Sequence, residues 1–272
     1  MPTTRRVRPP RAVLDAFRLG GRAEPLPGGQ QTAWRVGNAV LKPLDIDPAL
    51  LSWQAGLLAR LDGRSDFRVS VPLQTVDGSW TAHGWTAWRY QPGSHVAGRW
   101  HDVLEVGRRL HVALEAEPEP PSLRARTDVW AVADRVAWAE LPASDHAGTP
   151  HLRVLSAALR PVSVRRQLVH GDLTGNVLFS PGLPPLVIDL SLYWRPPAFA
   201  AAVVVADAVV FEGAGPEVLD SCGVDTTFPQ LLLRALVFRL VSAHLLRPDE
   251  QDRTGERYAA AVEKAVRLAC LA

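Results

Sequence analysis

A stretch of twenty residues in the second half of the chain restricts the possible fold more than any other part of the sequence. It begins with His170-Gly171-Asp172, continues to Asn176, and ends on Asp189. Short apolar runs precede and follow these polar residues, so the pattern predicts small hairpin strands with polar side chains at their ends. The carboxylates of Asp172 and Asp189 and the amide of Asn176 are therefore spaced so that they can contribute to one site at the strand ends.

The residue types in this stretch suit phosphoryl transfer. An aspartate such as Asp172 can orient an attacking hydroxyl and accept its proton, while an amide and a second carboxylate provide the oxygen ligands that magnesium prefers. Taken singly, Asp172 is also compatible with a turn aspartate, and His170 with a buried structural histidine. The combined spacing of Asp172, Asn176 and Asp189 favours the site over the turn.

The chain changes character near residue 91. Before it, two apolar runs around Gly37-Asn38 predict a hairpin, leucines at helical spacing predict a helix over residues 48–61, and residues 71–90 around Asp77-Gly78 predict a second hairpin. After it, helical spacing dominates, and we expect helices near residues 103–114, 128–136, 152–159, 198–212, 228–247 and 254–271. The pattern indicates an α+β protein with domains 1–90 and 91–272.

Composition places the chain among folded proteins. Hydrophobic residues make up 47% and charged residues 21%, which is too apolar for a disordered chain. The net charge is +2 and no basic run carries interleaved aromatic residues, so we expect no nucleic-acid partner. Up to residue 92 there are 12 basic and 7 acidic residues, against 18 and 21 after it, so the second domain slightly favours a cationic substrate.

Several features bear on the cellular compartment. Cys222 and Cys270 lie 48 positions apart and show no zinc-ligand spacing, which fits a reducing cytoplasm. The basic N-terminus is not followed by the apolar stretch of a secretory signal. Charged residues interrupt the two most apolar windows, which therefore read as core helices, and we expect no membrane partner and a cytoplasmic location. The sequence does not indicate an oligomeric state.

With these residues in view, the sequence resembles the aminoglycoside phosphotransferase family, the small-molecule branch of the protein-kinase-like fold, whose catalytic loop reads H-G-D-x-x-x-x-N. The order of elements fits over the whole chain. Four segments are similar to an uncharacterised actinobacterial subgroup: the one around Gly28-Gly29, Trp34-Arg35-Val36-Gly37, Val40-Leu41-Lys42-Pro43 and Tyr193-Trp194-Arg195-Pro196. The resemblance implies a two-lobe fold, with an antiparallel sheet plus one helix in the N-lobe, a mainly helical C-lobe, and ATP with magnesium (Mg2+) between them.

The resemblance also assigns roles to individual residues. It implies that Asp172 is the catalytic base, that Asn176 and Asp189 are the magnesium ligands, and that Lys42 contacts the α- and β-phosphates. The other nucleotide-binding positions are the Gly28 and Gly29 pair of the phosphate-covering loop, Arg89 and Gln91 of the hinge whose backbone binds adenine, and Gln54 of the first-domain helix. The composition supports the role of Lys42 as a phosphate ligand, because the chain has two lysines against 28 arginines. A lysine in a predicted central strand needs a partner for its charge, such as a polyphosphate.

Two departures from the family pattern leave alternatives open. Gln54 stands where a glutamate normally pairs with the lysine, and Asp189-Leu190-Ser191 replaces the usual Asp-Phe-Gly. We expect an ATP- and magnesium-dependent phosphotransferase that acts on a hydroxyl of a small molecule, such as an amino sugar, an antibiotic or an amino alcohol. The alternative, motivated by Gln54, is a catalytically weak or inactive nucleotide-binding regulatory protein. A metallophosphoesterase is less well supported, because no histidine directly follows Asn176.

Overall fold

The computed structural model describes residues 7–27, 32–220 and 227–271. It divides into two compact units: Met1–Val96 with Gly175–Leu190, and Ala97–Thr174 with Ser191–Ala272. The sequence pattern places a single boundary after residue 90, whereas the first unit extends to Val96 and also takes in a later segment. The pairing of strands explains that second segment.

The helices and strands follow one another along the described chain. In order they are α1 (Arg11–Ala16), β1 (Glu24–Pro25), β2 (Trp34–Val36), β3 (Ala39–Pro43), α2 (Pro48–Leu61), β4 (Arg68–Val69), β5 (Thr81–Ala82), β6 (Trp85–Arg89), α3 (Trp100–Leu114), α4 (Pro121–Arg124), α5 (Val129–Ala137), α6 (Leu152–Ala158), β7 (Gln167–His170), β8 (Val177–Ser180), β9 (Leu183–Val187), β10 (Leu192–Arg195), α7 (Pro197–Phe211), α8 (Phe228–Leu246) and α9 (Gln251–Leu271). Short 3-10 helices lie at Ala143–His146, Pro216–Asp220 and Pro248–Glu250.

The first unit contains an antiparallel sheet in the order β1-β2-β3-β6-β5. The predicted first hairpin is confirmed, since β2 pairs with β3 and Gly37 at the turn has a φ of 56°. A second sheet joins β4 in parallel to β9, which pairs antiparallel with β8. Because β9 takes its partner β4 from the N-terminal segment, residues 175–190 belong to the first unit.

Helix α2 has the bounds that the sequence predicts. The Asp47 carboxylate caps it by accepting hydrogen bonds from the N–H groups of Ala49 and Leu50, each at 3.0 Å, and Pro48 occupies its first turn. The second predicted hairpin is only partly present, because residues 71–76 do not form a continuous strand. Pro72 makes an isolated bridge with Trp88, and proline has no N–H with which to extend the ladder.

Helices α7 and α8 form the centre of the second unit. Phe199 of α7 and Tyr193 of β10 both place their rings edge-to-face on Phe238 of α8, with centroids 6.2 and 5.6 Å away. Helix α8 is long and apolar enough to span a membrane, yet 72% of its most apolar window is buried inside the structure. This burial is that of a core helix, as the sequence pattern predicts.

Several elements were not predicted, and α1 and β10 are two of them. Helix α1 begins at Arg11, in the basic N-terminal segment, and it buries Val13 and Leu14. Strand β10 pairs antiparallel with β7, so that Leu192 lies opposite His170. Neither element has a strong local signal, because each is stabilised by partners distant in the chain.

The α+β class and the protein-kinase-like arrangement of a sheet-containing N-terminal part and a helical C-terminal part are confirmed.

Candidate active site

Lys42 lies on β3, and its ammonium group donates a hydrogen bond to Asp189 Oδ1. The two residues are 147 positions apart in the chain. The Lys42 Nζ atom also lies 5.4 Å from the ring centroid of Trp88 on β6, within cation–π range. The acid that balances Lys42 is therefore Asp189, while the sequence position that often carries a glutamate holds Gln54.

Gln54 on α2 is buried, with 3% of its surface exposed. Its Nε2 donates a hydrogen bond to the carbonyl oxygen of Leu190 at 3.0 Å. This bond anchors the residue that directly follows Asp189. Gln54 therefore supports the segment that carries the aspartate, and its predicted role in nucleotide binding stays a prediction.

Asn176 and Asp189 lie at the same end of the β8–β9 hairpin. Val177 pairs with Val187, and the Ile188 N–H donates to the Asn176 carbonyl oxygen at 3.0 Å. Asp189 has a φ of 49°, a left-handed conformation that aspartate adopts more readily than most residues other than glycine. The hairpin thus brings the two predicted magnesium ligands together.

The donor atoms of this hairpin end fit magnesium. Over the described ranges, no group of three or more His, Cys, Asp or Glu side chains is placed to hold a metal ion. Magnesium does not need such a group, because it commonly binds through one or two carboxylates together with substrate phosphates and water. The Asp189 carboxylate and the Asn176 amide oxygen are hard oxygen donors of this kind.

The predicted hinge residues make internal contacts in the first unit. The Arg89 N–H donates to the Val71 carbonyl at 2.8 Å, and the Arg89 carbonyl accepts from the Ser70 hydroxyl at 2.9 Å. Gln91 Nε2 donates to the Val69 carbonyl at 2.6 Å. These bonds hold the end of the sheet, and adenine binding near Arg89 and Gln91 stays a prediction. Gly28 and Gly29 lie outside the described residues.

Asp172 belongs to the second unit, where it follows β7. Its Oδ1 atom accepts a hydrogen bond of 2.6 Å from Nη2 of Arg239 on α8. The same guanidinium binds Asp207 on α7, through Nε to Oδ1 at 2.9 Å and through Nη2 to Oδ2 at 2.5 Å. Burial acts to lower the pKa of Arg239, but Asp207 and Asp172 raise it well above its usual range.

Neither Arg239 nor Asp207 has a role that was predicted from the sequence. A signal was nevertheless present, since each is a charged residue that interrupts one of the two most apolar windows of the chain. A charge in a predicted core helix requires a partner, and two opposite charges in neighbouring core helices could have been paired with each other.

The backbone around Asp172 is fixed by buried contacts. His170 is fully buried, and its N–H donates to His111 Nε2 at 3.2 Å, while the Asp172 N–H donates to His170 Nδ1 at 3.2 Å. Burial lowers the pKa of His111 to about 3, so its ring is neutral at physiological pH and Nε2 can accept. A Cβ on Gly171 would approach the Tyr193 ring to 2.5 Å, so no larger residue fits without a shift.

Arg195 forms a second buried ion cluster in the same unit. Its guanidinium binds Asp134 with contacts between 2.7 and 3.2 Å, and Glu140 at 2.7 and 2.9 Å. Burial opposes the charge of Arg195, but Glu140 and Asp134 raise its pKa above the usual range. These contacts join β10 to α5 and to Glu140, which follows α5 in the chain.

Comparison with known proteins gives matches at the level of structure. No protein-family model matches the sequence, and no curated protein matches it. The solved structure of choline kinase LicA from Streptococcus pneumoniae superposes with a TM-score of 0.57 at 15% identity, covering 93% of this chain and 96% of that chain.

Two further solved structures contain nucleotides. Spectinomycin phosphotransferase APH(9)-Ia, in complex with ADP and spectinomycin, gives a TM-score of 0.51 at 14% identity and covers 91% of this chain and 92% of that one. Amicoumacin kinase hAmiN, in complex with AMP-PNP, Ca2+ and Ami, gives a TM-score of 0.55 at 13% identity and covers 88% of this chain and 84% of that one. The protein therefore has the protein-kinase-like fold that aminoglycoside phosphotransferases and choline kinases share.

Proposed function

We propose that this protein is an ATP- and magnesium-dependent small-molecule kinase, which transfers the γ-phosphoryl group to an acceptor hydroxyl. The observation that carries the proposal is the ion pair between Lys42 and Asp189. A lysine suited to phosphate and a carboxylate suited to magnesium meet across 147 positions, at the end of a hairpin that also carries Asn176. Phosphoryl transfer needs this combination of a cation and hard oxygen ligands.

In the proposed reaction, Asp172 accepts the proton of the acceptor hydroxyl as its oxygen attacks the γ-phosphorus. The new oxygen–phosphorus bond forms while the bond from the γ-phosphorus to the bridging oxygen of ADP breaks, and ADP leaves. Lys42 donates hydrogen bonds to the α- and β-phosphates and offsets their charge. Magnesium held by Asn176 and Asp189 supplies additional stabilisation of phosphate charge when it is bound. Gly28, Gly29, Gln54, Arg89 and Gln91 complete the proposed nucleotide site.

The proposed acceptors are amino sugars, antibiotics and amino alcohols in the cytoplasm. The solved structures with this fold support this class, since their names include spectinomycin, choline and amicoumacin. The acidic excess after residue 92 also suits an amine-bearing acceptor. Fold alone does not select one acceptor, because chemistry on a shared fold is set by the site.

The absence of a glutamate at position 54 does not by itself favour an inactive protein. Asp189 pairs with Lys42, so an acid is present beside the ammonium group. Gln54 instead anchors the backbone next to Asp189. Turnover therefore remains the direct criterion that separates an enzyme from a protein that only binds nucleotide.

The proposal is tested by a mass-spectrometric screen for phosphorylated products. Purified protein is incubated with ATP and magnesium and with panels of amino sugars, antibiotics and amino alcohols, using wild type, Asp172→Asn and Asp66→Asn. Asp66 is a matched control, because it pairs with Arg64 and its side chain is 31% exposed, against 32% for Asp172. We expect product from wild type and from the control, and about 100-fold less from Asp172→Asn.

Two outcomes would contradict the proposal. If Asp172→Asn forms as much product as wild type, Asp172 is not the catalytic base. Binding of ATP and magnesium by wild type without product from any acceptor would favour the regulatory alternative.

A further inference from the structure

The proposed base shares one guanidinium with a second, deeply buried carboxylate. Arg239 Nη2 lies 2.6 Å from Asp172 Oδ1 and 2.5 Å from Asp207 Oδ2, and Arg239 Nε lies 2.9 Å from Asp207 Oδ1. All three residues belong to the second unit. The inference below rests on the proposed function, because it concerns the residue assigned as the base.

The three side chains differ sharply in their exposure. Asp207 is 1% exposed and Arg239 is buried, whereas the Asp172 side chain keeps 32% of its surface accessible. The two-point contact with Asp207 fixes the plane of the guanidinium, because Nε and Nη2 must face the two carboxylate oxygens together. The position of Nη2 is then set before it meets Asp172. Asp207 therefore orients Arg239, and Arg239 orients Asp172.

We propose that Arg239 is the positioning residue for Asp172, and that Asp207 is the counter-charge that keeps Arg239 paired throughout turnover. Before transfer, two carboxylates and one guanidinium carry a net charge of −1. When Asp172 takes the acceptor's proton, that charge becomes zero, and Asp207 still balances Arg239. Without Asp207, protonation of Asp172 would leave a buried guanidinium without a carboxylate, which is strongly unfavourable.

A kinetic comparison of two buried arginines tests this role. Arg195 is the matched control, because it is also buried in the second unit and bound by two carboxylates, Asp134 and Glu140, at a different place. We expect Arg239→Lys to lower kcat about 100-fold, since lysine keeps the charge but cannot span both carboxylates. The KM for ATP should stay within about twofold, because Arg239 binds Asp172 and Asp207, neither of which is assigned to nucleotide binding.

Asp207→Asn should also lower kcat, because it keeps an acceptor oxygen but removes the counter-charge. In contrast, Arg195→Lys should lower thermal stability and leave kcat within about threefold. The proposal is overturned if Arg239→Lys keeps the wild-type kcat, or if Arg195→Lys and Arg239→Lys lower kcat equally. Equal losses would mean that burial of an ion cluster, and not the position of Asp172, is responsible.

A second measurement does not depend on turnover. Nitrogen-15 NMR of the arginine side chains reports on each guanidinium in the intact, ligand-free protein. We expect Asp172→Asn to shift the Arg239 Nη signals and leave those of Arg195 in place, and Asp134→Asn to do the reverse. Unchanged Arg239 signals in Asp172→Asn would overturn the inference. If wild type phosphorylates no acceptor, the proposed function fails, and this measurement alone decides whether Arg239 holds Asp172.

Discussion

The two lysines of this protein have different chemical surroundings. Lys42 is mostly buried on β3, where its ammonium group meets Asp189 and the face of Trp88. Lys264 lies on α9 and pairs with Asp220 at 2.7 Å. An ammonium is a compact charge on a flexible stem, and a planar guanidinium needs a different arrangement of acceptors. The chain uses arginine at 28 other positions, so the lysine at position 42 reflects local chemistry and not overall composition.

Lys42→Arg should therefore impair the proposed reaction although it keeps the charge. We expect the rate of phosphoryl transfer to fall about 100-fold, as it does when one preorganised donor to a developing charge is lost. Lys264→Arg is the control, and its rate should stay within about twofold of wild type. Steady-state assays with an acceptor found in the screen measure both. Equal rates for the two variants would show that Lys42 is not a phosphate ligand.

Gln54→Glu should destabilise the protein, although it introduces the residue that the family pattern expects. Gln54 donates a buried hydrogen bond to the Leu190 carbonyl, and an ionised glutamate has no proton to donate. We expect a loss of about 1–3 kcal/mol in the free energy of unfolding, measured by urea titration. Gln74→Glu removes a similar bond, to the Gly78 carbonyl, at an exposed position, and should stay within about 0.5 kcal/mol of wild type. A more stable Gln54→Glu would mean that position 54 mainly serves the charge of Lys42.

Helices and strands could be predicted from the sequence when the contacts that stabilise them lie close together in the chain. Helix α2 was predicted to its last residue because its cap, its proline and its leucine spacing are all local. Strand β10 was missed because the β8–β9 hairpin separates it in the chain from its partner β7, so no local turn pattern joins the two strands. The same reason hid Arg239, which lies 67 positions from Asp172. Asp172, Asn176 and Asp189 could be singled out since they fall within twenty residues, whereas the partner of Lys42 could not be named from sequence.

The contact between α3 and β7 predicts a pH-dependent stability. Burial, followed by the nearby His170, lowers the pKa of His111 on α3 from 6.5 to about 3. At a pH between these two pKa values, His111 takes up a proton when the protein unfolds. The free energy of unfolding therefore falls as the pH drops below about 6.5. We expect His111 to account for a loss of about 2 kcal/mol between pH 7.5 and pH 5.0.

Urea unfolding at both pH values measures this effect. His111→Gln can still accept the His170 N–H but cannot titrate, so the difference between the two pH values should shrink by about the same amount. His101→Gln is the control, because His101 is exposed on the same helix. An unchanged pH dependence in His111→Gln would show that other groups cause the acid sensitivity.

For the molecule as a whole, the candidate residues are divided between the two compact units. Lys42, Asn176 and Asp189 belong to the first and Asp172 to the second, and the chain passes from one to the other between Thr174 and Gly175. The order of sheet and helices could be predicted from periodicity. That residues 175–190 belong to the first unit could not be predicted. Their place there depends on the parallel pairing of β9 with a two-residue strand, β4, more than a hundred positions earlier.

Nucleotide should stabilise the folded chain, and part of that effect should require magnesium. A ligand that binds only the folded state at 100 times its Kd adds about 2.7 kcal/mol. We expect AMP-PNP with magnesium to raise the thermal unfolding temperature more than AMP-PNP with EDTA. Asp189→Asn should abolish the difference between these two conditions, while Asp66→Asn should retain it. Equal shifts with magnesium and with EDTA in wild type would contradict the assignment of Asn176 and Asp189.

The scarcity of lysine also makes this protein unusually simple to follow by chemical labelling. Lys42 lies in the first compact unit and Lys264 in the second, so an amine-directed reagent places one side-chain tag on each. The tags fall on different proteolytic peptides, and each peptide yields a separate mass signal. Because the Lys42 amine is engaged by Asp189 and the Lys264 amine by Asp220, the labelling rate of each peptide reports the opening of one ion pair. Two mass signals thus report separately on two ion pairs, one in each unit, in the unmodified sequence.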